Sequence, residues 1–364
     1  MPKITVIIPV YNSEMYLENC LKSVVSQTLK DIEIICVNDC SKDNSWNIVK
    51  KFADNDERFV LIENSENKKQ GYCRNIGINK AKSDYIHFLD SDDWLADNNF
   101  YQTVYEELSH NDIDIFVFND YEYHEDKNIL IEDEKLKRFP FIYNSFDINN
   151  NSDVITSDIK LTGMAWDKIY KRDFLVKNNI IFAEGMFWED ILFNFLLKIS
   201  SPKIKIKDEK YIVYRLNAKS STTTNVVKIY KDAVKMMKFS KNLLDDKGLY
   251  EEYKFKFIEH YFGALYYDIL VRVKRASFIK FLFMKNDIKN YFIALNLSQN
   301  DMEKLKVYNE YLYQTLLHLK KGSIFTDLLK YFISLIFSVK NSFDKRFKVV
   351  TILGIKFKLR RENA

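Results

Sequence analysis

The first third of the chain alternates between short, continuously apolar runs and longer segments whose apolar residues recur at helical spacing. Apolar runs separated by helices are typical of parallel strands in a sheet that is buried on both faces. The pattern over residues 3–119 therefore predicts an α/β fold, a Rossmann-like three-layer α/β/α sandwich with a mostly parallel sheet. The predicted strands are Ile4–Pro9, Glu33–Val37, Phe59–Ile62, Tyr85–Leu89 and Ile113–Phe118.

The segments between these strands are predicted to be helices. Asn12 or Ser13 would cap the first helix through its side chain, and Asp43-Asn44-Ser45 would open the second. The third and fourth helices are predicted over Tyr72–Lys80 and Asn98–Ser109.

The rest of the chain departs from this alternation. Residues 120–160 are polar and acidic, which indicates an insertion or edge strands, and residues 161–218 return to dense aromatic and apolar content. Helical spacing dominates residues 226–319. The predicted organisation is a first domain over residues 1–222, a helical domain over 223–320 and a basic tail over 321–364.

Composition places the chain among globular proteins, with 47% hydrophobic and 29% charged residues. No signal-peptide pattern opens the chain and no apolar run reaches about 18 residues, so we expect a cytoplasmic protein without a spanning helix. The five histidines show no metal-ligand spacing, and His87 is expected in the core or behind the site residues rather than as a catalytic group. No Cys-x-x-Cys pair occurs, so we expect reduced core thiols at Cys20, Cys36, Cys40 and Cys73.

An acidic cluster, Asp90, Asp92 and Asp93, follows the predicted strand Tyr85–Leu89. Acids at the carboxyl end of a parallel strand lie at the edge where open α/β sheets bind ligands. Asp90 and Asp92 could share one Mg²⁺ or Mn²⁺ ion, and phosphate oxygens and water would complete its coordination shell. Alternatively, one of the two would bind the cation and the other the ribose. The alternative is a solvated turn that caps the next helix.

Two further loops follow strands that are predicted to end at the same edge. The first contains Pro9, Tyr11 and Asn12, and the second contains Asp39. A carboxylate such as Asp39 suits recognition of a base N–H or a ribose hydroxyl, and it would converge with the acidic cluster on one ligand. The alternative for Asp39 is a turn or helix-capping residue.

Residues 70–77 lack both the Gly-x-Gly-x-x-Gly dinucleotide fingerprint and the Walker lysine pattern. This absence counts against an NAD enzyme and against ATP hydrolysis. Arg74 could neutralise a phosphate or support a base pocket. In the alternative, Asn75 and Gly77 merely pack a helix on the sheet.

Glu189 and Asp190 lie between large apolar residues, which is unusual for a plain surface. One of these carboxylates, partly removed from water, would serve as a general base. A pair that caps a helix N-terminus explains this stretch equally well. Further along, Tyr214 and Arg215 with Ser220–Thr222 would form either a polar lid over phosphates or an ordinary loop.

Together, these segments resemble the family 2 glycosyltransferases, which have the GT-A fold. The resemblance covers roughly residues 3–222, and Asn38 and Cys40 stand where the family often has Asp and Gly. Residues 166–172 resemble a segment of bacterial members that build surface polysaccharides. The motifs that carry the resemblance are Pro9-Val10-Tyr11-Asn12, Val37-Asn38-Asp39, Ser41-Lys42-Asp43, Arg74-Asn75-x-Gly77, Asp90-Ser91-Asp92-Asp93 and Trp188-Glu189-Asp190.

The resemblance implies inverting transfer of a sugar from a nucleotide-diphosphate donor, expected to be UDP-linked, to a hydroxyl of a saccharide or lipid-linked glycan acceptor. Asp39 would contact the base, Asp90 the ribose or the metal, and Asp92 would bind Mn²⁺ or Mg²⁺ on the diphosphate. Asp190 would be the base, with Glu189 beside it. The donor site would be completed by Pro9, Tyr11, Asn12, Arg74, Ser91 and Arg215.

Two rival interpretations stay open. A nucleotidyltransferase also uses paired aspartates with Mg²⁺, but it should carry a glycine-rich, basic triphosphate loop near the first strand, and Pro9–Asn12 is not one. A catalytically inactive, sugar-binding scaffold subunit of a glycan assembly complex would keep the fold, and the intact acids argue against it.

The tail is basic, since residues 320–364 hold eight lysines and three arginines against three acids. Ile324–Val339 is predicted to be an amphipathic helix, and Val349–Leu359 alternates in places like a strand. An apolar face with flanking cations is typical of a helix that lies on an anionic inner-membrane surface. Packing on the helical domain or in a homodimer is the alternative. No nucleic-acid partner is expected, because no recognised module appears.

Overall fold

The computed structural model describes residues 1–131, 163–216, 226–265, 278–321, 337–341, 347–352 and 355–360. Contacts divide the chain into two compact units, Met1–Tyr261 and Phe262–Ala364. The strands of the first unit are β1 (Ile4–Val10), β2 (Ile32–Asn38), β3 (Phe59–Glu63), β4 (Tyr85–Phe88), β5 (Trp94–Leu95), β6 (Ile115–His124), β7 (Ile129–Ile131), β8 (Lys168–Lys171) and β9 (Ile204–Leu216). Its helices are α1 (Leu17–Val25), α2 (Ser45–Ala53), α3 (Lys69–Lys80), α4 (Phe100–His110), α5 (Arg172–Lys177), α6 (Asp190–Ile199), α7 (Val226–Asp246) and α8 (Tyr250–Phe262).

A nine-stranded sheet organises the first unit. Strands β3, β2, β1 and β4 lie side by side in that order and are all parallel, as predicted. Beyond β4 the sheet is mixed, because β8 runs antiparallel to both β4 and β6, whereas β9 runs parallel to β6. The short strands β5 and β7 pair antiparallel with β9 and β6. The parallel character is therefore concentrated in the four strands that carry the predicted site loops.

Helices cover both faces of this sheet, which confirms the predicted three-layer α/β/α class. Side chains of β1 alternate between the faces, and Ile4, Val6 and Ile8 share a core with residues of α1, α2 and α4. Ile7 faces the other side, where it packs so closely on Gly77 of α3 that a methyl group there would clash. Burial on both faces explains why β1 and β2 are apolar along their length.

The strands and helices predicted over residues 3–119 are all present, although their ends differ, most of all for β6, which continues to His124. The predicted cap of the first helix is wrong. Helix α1 begins after Tyr16, and no side-chain cap is present there. Ser13 instead accepts hydrogen bonds from the Tyr16 and Leu17 amides through its backbone carbonyl.

Two regions bear on the predicted domain plan. Strand β6 continues into residues 120–160 and β7 pairs with its end, which agrees with the edge strands predicted there, and residues 132–162 lie outside the described part of the chain. Helices α7 and α8 have the predicted helical character, but contacts group residues up to Tyr261 with the first unit. The division between units therefore falls well after the predicted boundary at residue 222.

The second unit begins with helices and ends in a small sheet. Helix α10 starts with a capping box, in which Ser298 and Asp301 each bond the other's backbone amide through their side chains. The helices are α9 (Phe278–Ala294), α10 (Gln299–Tyr308) and α11 (Glu310–Lys321), and the antiparallel strands are β10 (Phe337–Asn341), β11 (Phe347–Ile352) and β12 (Ile355–Arg360).

This small sheet corrects part of the tail prediction. The helix predicted over Ile324–Val339 is wrong at its end, because Phe337–Val339 belong to β10, and residues 322–336 lie outside the described residues. The strand-like alternation of Val349–Leu359 is confirmed by β11 and β12. Within the described ranges, no helix has the length and apolar character needed to cross a bilayer.

Candidate active site

The loops after β2, β1 and β4 lie next to one another at one sheet edge, because these strands are neighbours and parallel. The amide of Asp39 donates to the carbonyl of Val10 at 2.8 Å, which joins the first two loops. The amide of Leu89, just before Asp90, donates to the carbonyl of Ile7 at 3.0 Å. The predicted convergence of the three loops is therefore present.

Arg74, on helix α3, is the centre of the site. Its guanidinium is buried and binds three carboxylates, with Nη2 at 2.6 Å from Oδ1 of Asp90 and Nη1 at 3.2 Å from Oδ1 of Asp190. Nη1 also donates to Oε1 of Glu189. A planar guanidinium can serve several carboxylates at once because its N–H donors point in fixed, separate directions. Arg74 therefore joins the acidic cluster to the late acid pair, whose members lie 115 and 116 residues after Arg74 in the sequence.

This arrangement gives Arg74 a role that sequence reasoning missed. The sequence suggests a cation that neutralises a phosphate or supports a base pocket, whereas the guanidinium holds carboxylates of the protein itself. The three acids also keep Arg74 charged, since their negative charges raise its pKa against the effect of burial. The spacing of motifs in the sequence does not predict this contact, because the contact depends on how α3 and α6 pack together.

Helix α3 is pressed against the segment that precedes the late acids. A side chain at Gly71 would clash with the carbonyl oxygen of Ala183, so only glycine fits there. Asn75 donates to the carbonyl of Phe182 at 3.0 Å and accepts from its amide at 2.9 Å. Of the two residues that the alternative hypothesis assigns to helix packing, Gly77 packs on the sheet, whereas Asn75 holds the segment that precedes Glu189 through Phe182.

Glu189 and Asp190 lie where helix α6 starts, yet neither caps it through its side chain. Both side chains instead contact Arg74. Burial raises the pKa of Asp190, and the charges of Glu189 and Asp90 add to the rise while Arg74 opposes it. The Glu189 side chain is 7% exposed and that of Asp190 is 25% exposed, so Asp190 is the carboxylate that a substrate could reach.

Asp39 is buried, and its carboxylate is occupied by groups of the protein. It accepts from the backbone amides of Lys68 and Lys69 at 2.7 and 2.8 Å and from Nδ2 of Asn64 at 3.0 Å. These bonds hold the loop that leads into α3. The structure therefore shows a loop-fastening role for Asp39, and its contact with a nucleotide base stays a prediction.

Asp92 and Asp93 are held by Arg215 at the end of β9. The Arg215 amide donates to Oδ1 of Asp93 at 2.8 Å, and its Nε donates to the carbonyl of Asp92 at 3.0 Å. The guanidinium carbon lies 4.6 Å from the ring centre of Tyr16 and 4.9 Å from that of Trp94. Arg215 thus fixes the acidic cluster, and the predicted lid residues 220–222 lie outside the described residues.

The predicted metal ligands, Asp90 and Asp92, suit a divalent cation whose other ligands would come from the substrate. Burial raises the pKa of Asp92 to about 6, and the charge of Asp90 adds to that rise. Such mutual repulsion is what a bound cation would relieve. Among the described residues, no three His, Cys, Asp or Glu side chains form a complete metal site. Mg²⁺ and Mn²⁺ suit this donor set, because one or two carboxylates with phosphate oxygens and water complete their shell.

The other predicted donor-site residues line the same edge. Pro9 is buried in β1, Tyr11 is exposed and Ser91 is partly exposed beside the acids. Asn12 has a positive φ of 48° and accepts from the Lys42 amide at 2.8 Å, so it ties the first loop to the second. The position of these residues agrees with a ligand that lies across the ends of β1, β2 and β4.

Two predictions about single residue types have different outcomes. His87 is buried, with its ring nitrogens at 2.8 Å from the Tyr101 hydroxyl and 2.9 Å from the Trp166 carbonyl, so its predicted core role is confirmed. Cys40 is partly exposed rather than a core thiol. Cys40 has a positive φ of 62°, a conformation that favours glycine. Glycine is also the residue that the family 2 glycosyltransferases, which this sequence resembles, often have at this position.

Comparisons with known proteins agree with this geometry. The family model described as Glycosyl transferase family 2 matches residues 5–169. Glycosyltransferase GlyA of Streptococcus pneumoniae is 34% identical over 220 residues, which make up 59% of this chain and 30% of GlyA. The uncharacterized glycosyltransferase EpsJ of Bacillus subtilis is 30% identical over 284 residues, 76% of this chain and 76% of EpsJ.

A solved structure supports the fold. S. aureus TarS 1–349, in complex with UDP-GlcNAc, superposes with a TM-score of 0.56 and covers 99% of both chains at 18% sequence identity. At that identity the likeness concerns the fold alone, and it confirms the GT-A type of architecture. The family model covers the loops after β1, β2 and β4, and the match to EpsJ extends over three quarters of both chains. The chain is a member of glycosyl transferase family 2.

Proposed function

We propose that the protein is an inverting glycosyltransferase that moves a sugar from a nucleotide-diphosphate donor to a hydroxyl of a saccharide acceptor. Its family membership supports transfer of a sugar, and one observation supports the mechanism. Arg74 joins Asp90, at the donor edge of the sheet, to Glu189 and Asp190 at the start of α6. Donor-side and base-side carboxylates are thereby held at a fixed separation, as a displacement at one carbon requires.

In this proposal Asp190 is the general base. Its carboxylate accepts the proton of the acceptor hydroxyl while that oxygen forms a bond to the anomeric carbon, and the bond to the diphosphate breaks on the opposite face. The raised pKa of Asp190 supports this role, because a base works best when its pKa lies near the working pH. Glu189, which is more deeply buried against Arg74, would position Asp190 rather than take the proton.

Asp90 and Asp92 would hold Mn²⁺ or Mg²⁺ together with the donor diphosphate, and a cation there would stabilise the negative charge that develops on the leaving group. Arg215 keeps Asp92 in place through its bond to the Asp92 carbonyl. Pro9, Tyr11 and Asn12 line the same edge and would contact the nucleotide together with Asp39.

We infer that the donor is UDP-linked, since TarS, which shares the fold, has been solved with UDP-GlcNAc. The acceptor would be a saccharide or a lipid-linked glycan in the synthesis of a bacterial capsule, lipooligosaccharide or other surface glycan. The rival proposals, a nucleotidyltransferase or an inactive scaffold subunit, have less support, because Asp90, Glu189 and Asp190 are held together around Arg74.

A donor screen tests the proposal. The full chain is incubated with nucleotide sugars and Mn²⁺ or Mg²⁺, and released nucleoside diphosphate is measured with and without saccharide acceptors. We expect release with one donor, faster with acceptor, and inversion at the anomeric carbon of the product. Absence of release with every donor would favour the scaffold, and release of pyrophosphate from a nucleoside triphosphate would favour the nucleotidyltransferase.

We also propose that the basic tail, residues 321–364, attaches the enzyme to the cytoplasmic, anionic face of the inner membrane, where a lipid-linked acceptor would be found. Each basic residue near such a surface contributes about 1 kcal/mol. The test is flotation with anionic liposomes at low salt, with and without residues 322–364. Equal flotation of both proteins would contradict the proposal and leave packing or dimerisation as the tail's role.

A further inference from the structure

The segment that leads to Asp190 is held in an unfavourable backbone conformation. Trp188, two residues before Asp190, has a φ of 57°. A bulky residue rarely adopts positive φ, and such a conformation persists only where surrounding contacts hold it. The contacts on either side of Trp188 therefore decide where Glu189 and Asp190 point.

Helix α7 supplies the contact on the N-terminal side of Trp188. Oδ2 of Asp232 accepts from the Phe187 amide at 3.2 Å, and Asp232 is 3% exposed. Two lysine ammonium groups lie over the Phe187 ring, with Nζ of Lys228 on α7 at 4.9 Å and Nζ of Lys69 on α3 at 5.2 Å from its centre. A backbone N–H that donates to a carboxylate forms a charge-assisted hydrogen bond, and Oδ1 of the same carboxylate pairs with Nζ of Lys235 at 3.4 Å.

Helix α8 supplies the contact on the other side. Nε2 of His260 lies 2.7 Å from the carbonyl of Ile191, the residue after Asp190, so this nitrogen carries the proton that it donates. The His260 ring also packs on Phe195 of α6. One turn further along α6, Lys198 forms an ion pair with Glu259 of α8. The strained turn at Trp188 is therefore held on one side by α7 and on the other side by α8, and both helices follow β9 in the chain.

We propose that Asp232 and His260 are positioning residues for sugar transfer: they fix the strained turn at Trp188 and thereby aim Asp190 at the acceptor. The inference rests on the proposed role of Asp190 as the base. It adds two residues that lie beyond the 5–169 range of the family model. It also gives a reason why residues 226–261 belong to the first compact unit.

Asp232→Leu tests the proposal, because it keeps the approximate size and removes the acceptor for the Phe187 amide. Asp232→Asn keeps an acceptor oxygen and serves as the conservative rescue. Asp245→Leu is the matched control, since Asp245 lies on the same helix in an exposed ion pair with Lys241. Two properties are measured in the full chain: hydrogen–deuterium exchange of peptides covering residues 183–192, and kcat and donor KM for sugar transfer.

For Asp232→Leu we expect amide exchange over residues 183–192 to become about tenfold faster, because a charge-assisted hydrogen bond is lost. We expect kcat to fall about tenfold or more with donor KM nearly unchanged, since small displacements of a catalytic group are costly and the donor residues lie on other loops. Asp232→Asn and Asp245→Leu should resemble the wild type. His260→Phe, which keeps a ring and removes the donor, should lower kcat more than His260→Gln.

Unchanged exchange in Asp232→Leu would overturn the proposal, as would faster exchange with normal kcat. A raised donor KM with normal kcat would assign Asp232 to donor binding instead. A wild-type protein that releases no diphosphate from any donor would refute the proposed function. In that case the exchange measurement still decides whether Asp232 holds the turn, because it needs no substrate.

Discussion

Replacing Arg74 is the most direct test of the site, because one guanidinium holds three carboxylates. The Arg74 side chain is 2% exposed, and in Arg74→Met the Glu189 carboxylate, 7% exposed, would remain buried without its cation. Removing one partner of a buried ion pair typically costs about 3–5 kcal/mol, since the remaining charge is left uncompensated. Asp90 and Asp190 are more exposed, so water would reduce their share of the loss.

We therefore expect Arg74→Met to lower the free energy of unfolding by about 3–5 kcal/mol. Arg74→Lys keeps the charge, but a single ammonium cannot reach Asp90 and Glu189 in the separate directions that Nη1 and Nη2 serve, so an intermediate loss is expected. Among molecules that stay folded, transfer should fall by about a hundredfold, because Asp190 loses its fixed position.

The assay is urea denaturation followed by circular dichroism, with released nucleoside diphosphate measured below the unfolding transition. Arg58→Met is the matched control, because Arg58 pairs at 2.6 Å with Asp56, two residues away, and both side chains are 17% exposed. We expect that control to lose about 1 kcal/mol with normal transfer. An Arg74→Met protein as stable and active as the Arg58→Met control would refute the role given to Arg74.

Two further predictions concern Asp92 and Asp190 in the site, and a third concerns the buried His87 in the core. Asp92→Ala should lower metal-dependent transfer by about 10²–10⁴-fold, and unchanged wild-type activity in EDTA would contradict a metal site. Asp190→Asn should retain donor binding, measured by calorimetry, while transfer falls by about 10²–10⁴-fold. If Glu189→Gln lost transfer and Asp190→Asn kept nearly normal transfer, Glu189 rather than Asp190 would be the base. Burial lowers the pKa of His87 to about 4 from 6.5, so the unfolded chain binds more protons and stability is lost as pH falls from 6.5 towards 4. From pH 7 to 5 the wild type should lose about 2 kcal/mol more than His87→Gln in urea denaturation, and equal losses would contradict the buried neutral ring.

The sequence predicts the part of the site whose position is determined by the parallel strands of the sheet. Apolar runs of β1, β2 and β4 place their carboxyl ends at one edge, so the loops with Asn12, Asp39 and Asp90 had to lie together. Local pattern does not determine the rest of the sheet. Strand β8 enters antiparallel between β4 and β6, and its place depends on long-range packing of the aromatic residues around it.

The contacts of Arg74 and Asp232 were beyond prediction for a related reason. Arg74 meets Glu189 across 115 positions, and Asp232 meets Phe187 across 45. Neither contact leaves a periodic or motif signal, because one charged residue on a helix is usually solvated. Gly71 lies so close to the Ala183 carbonyl that a side chain there would clash. A glycine in a sequence can indicate such a close approach, but it does not indicate which segment approaches.

Because Asp90, Glu189 and Asp190 share one guanidinium, the proposed donor side and the proposed base side of the site form a single electrostatic unit. Removing Asp90 would leave Arg74 with only the late acids, which would hold their protons less firmly. A cation beside Asp90 and Asp92 would offset the negative charge of Asp90 and shift the same balance in the same direction, so the late acids would again hold their protons less firmly. Effects of substitutions at these positions should therefore not add, and occupation of the donor edge is coupled through Arg74 to the basicity of Asp190.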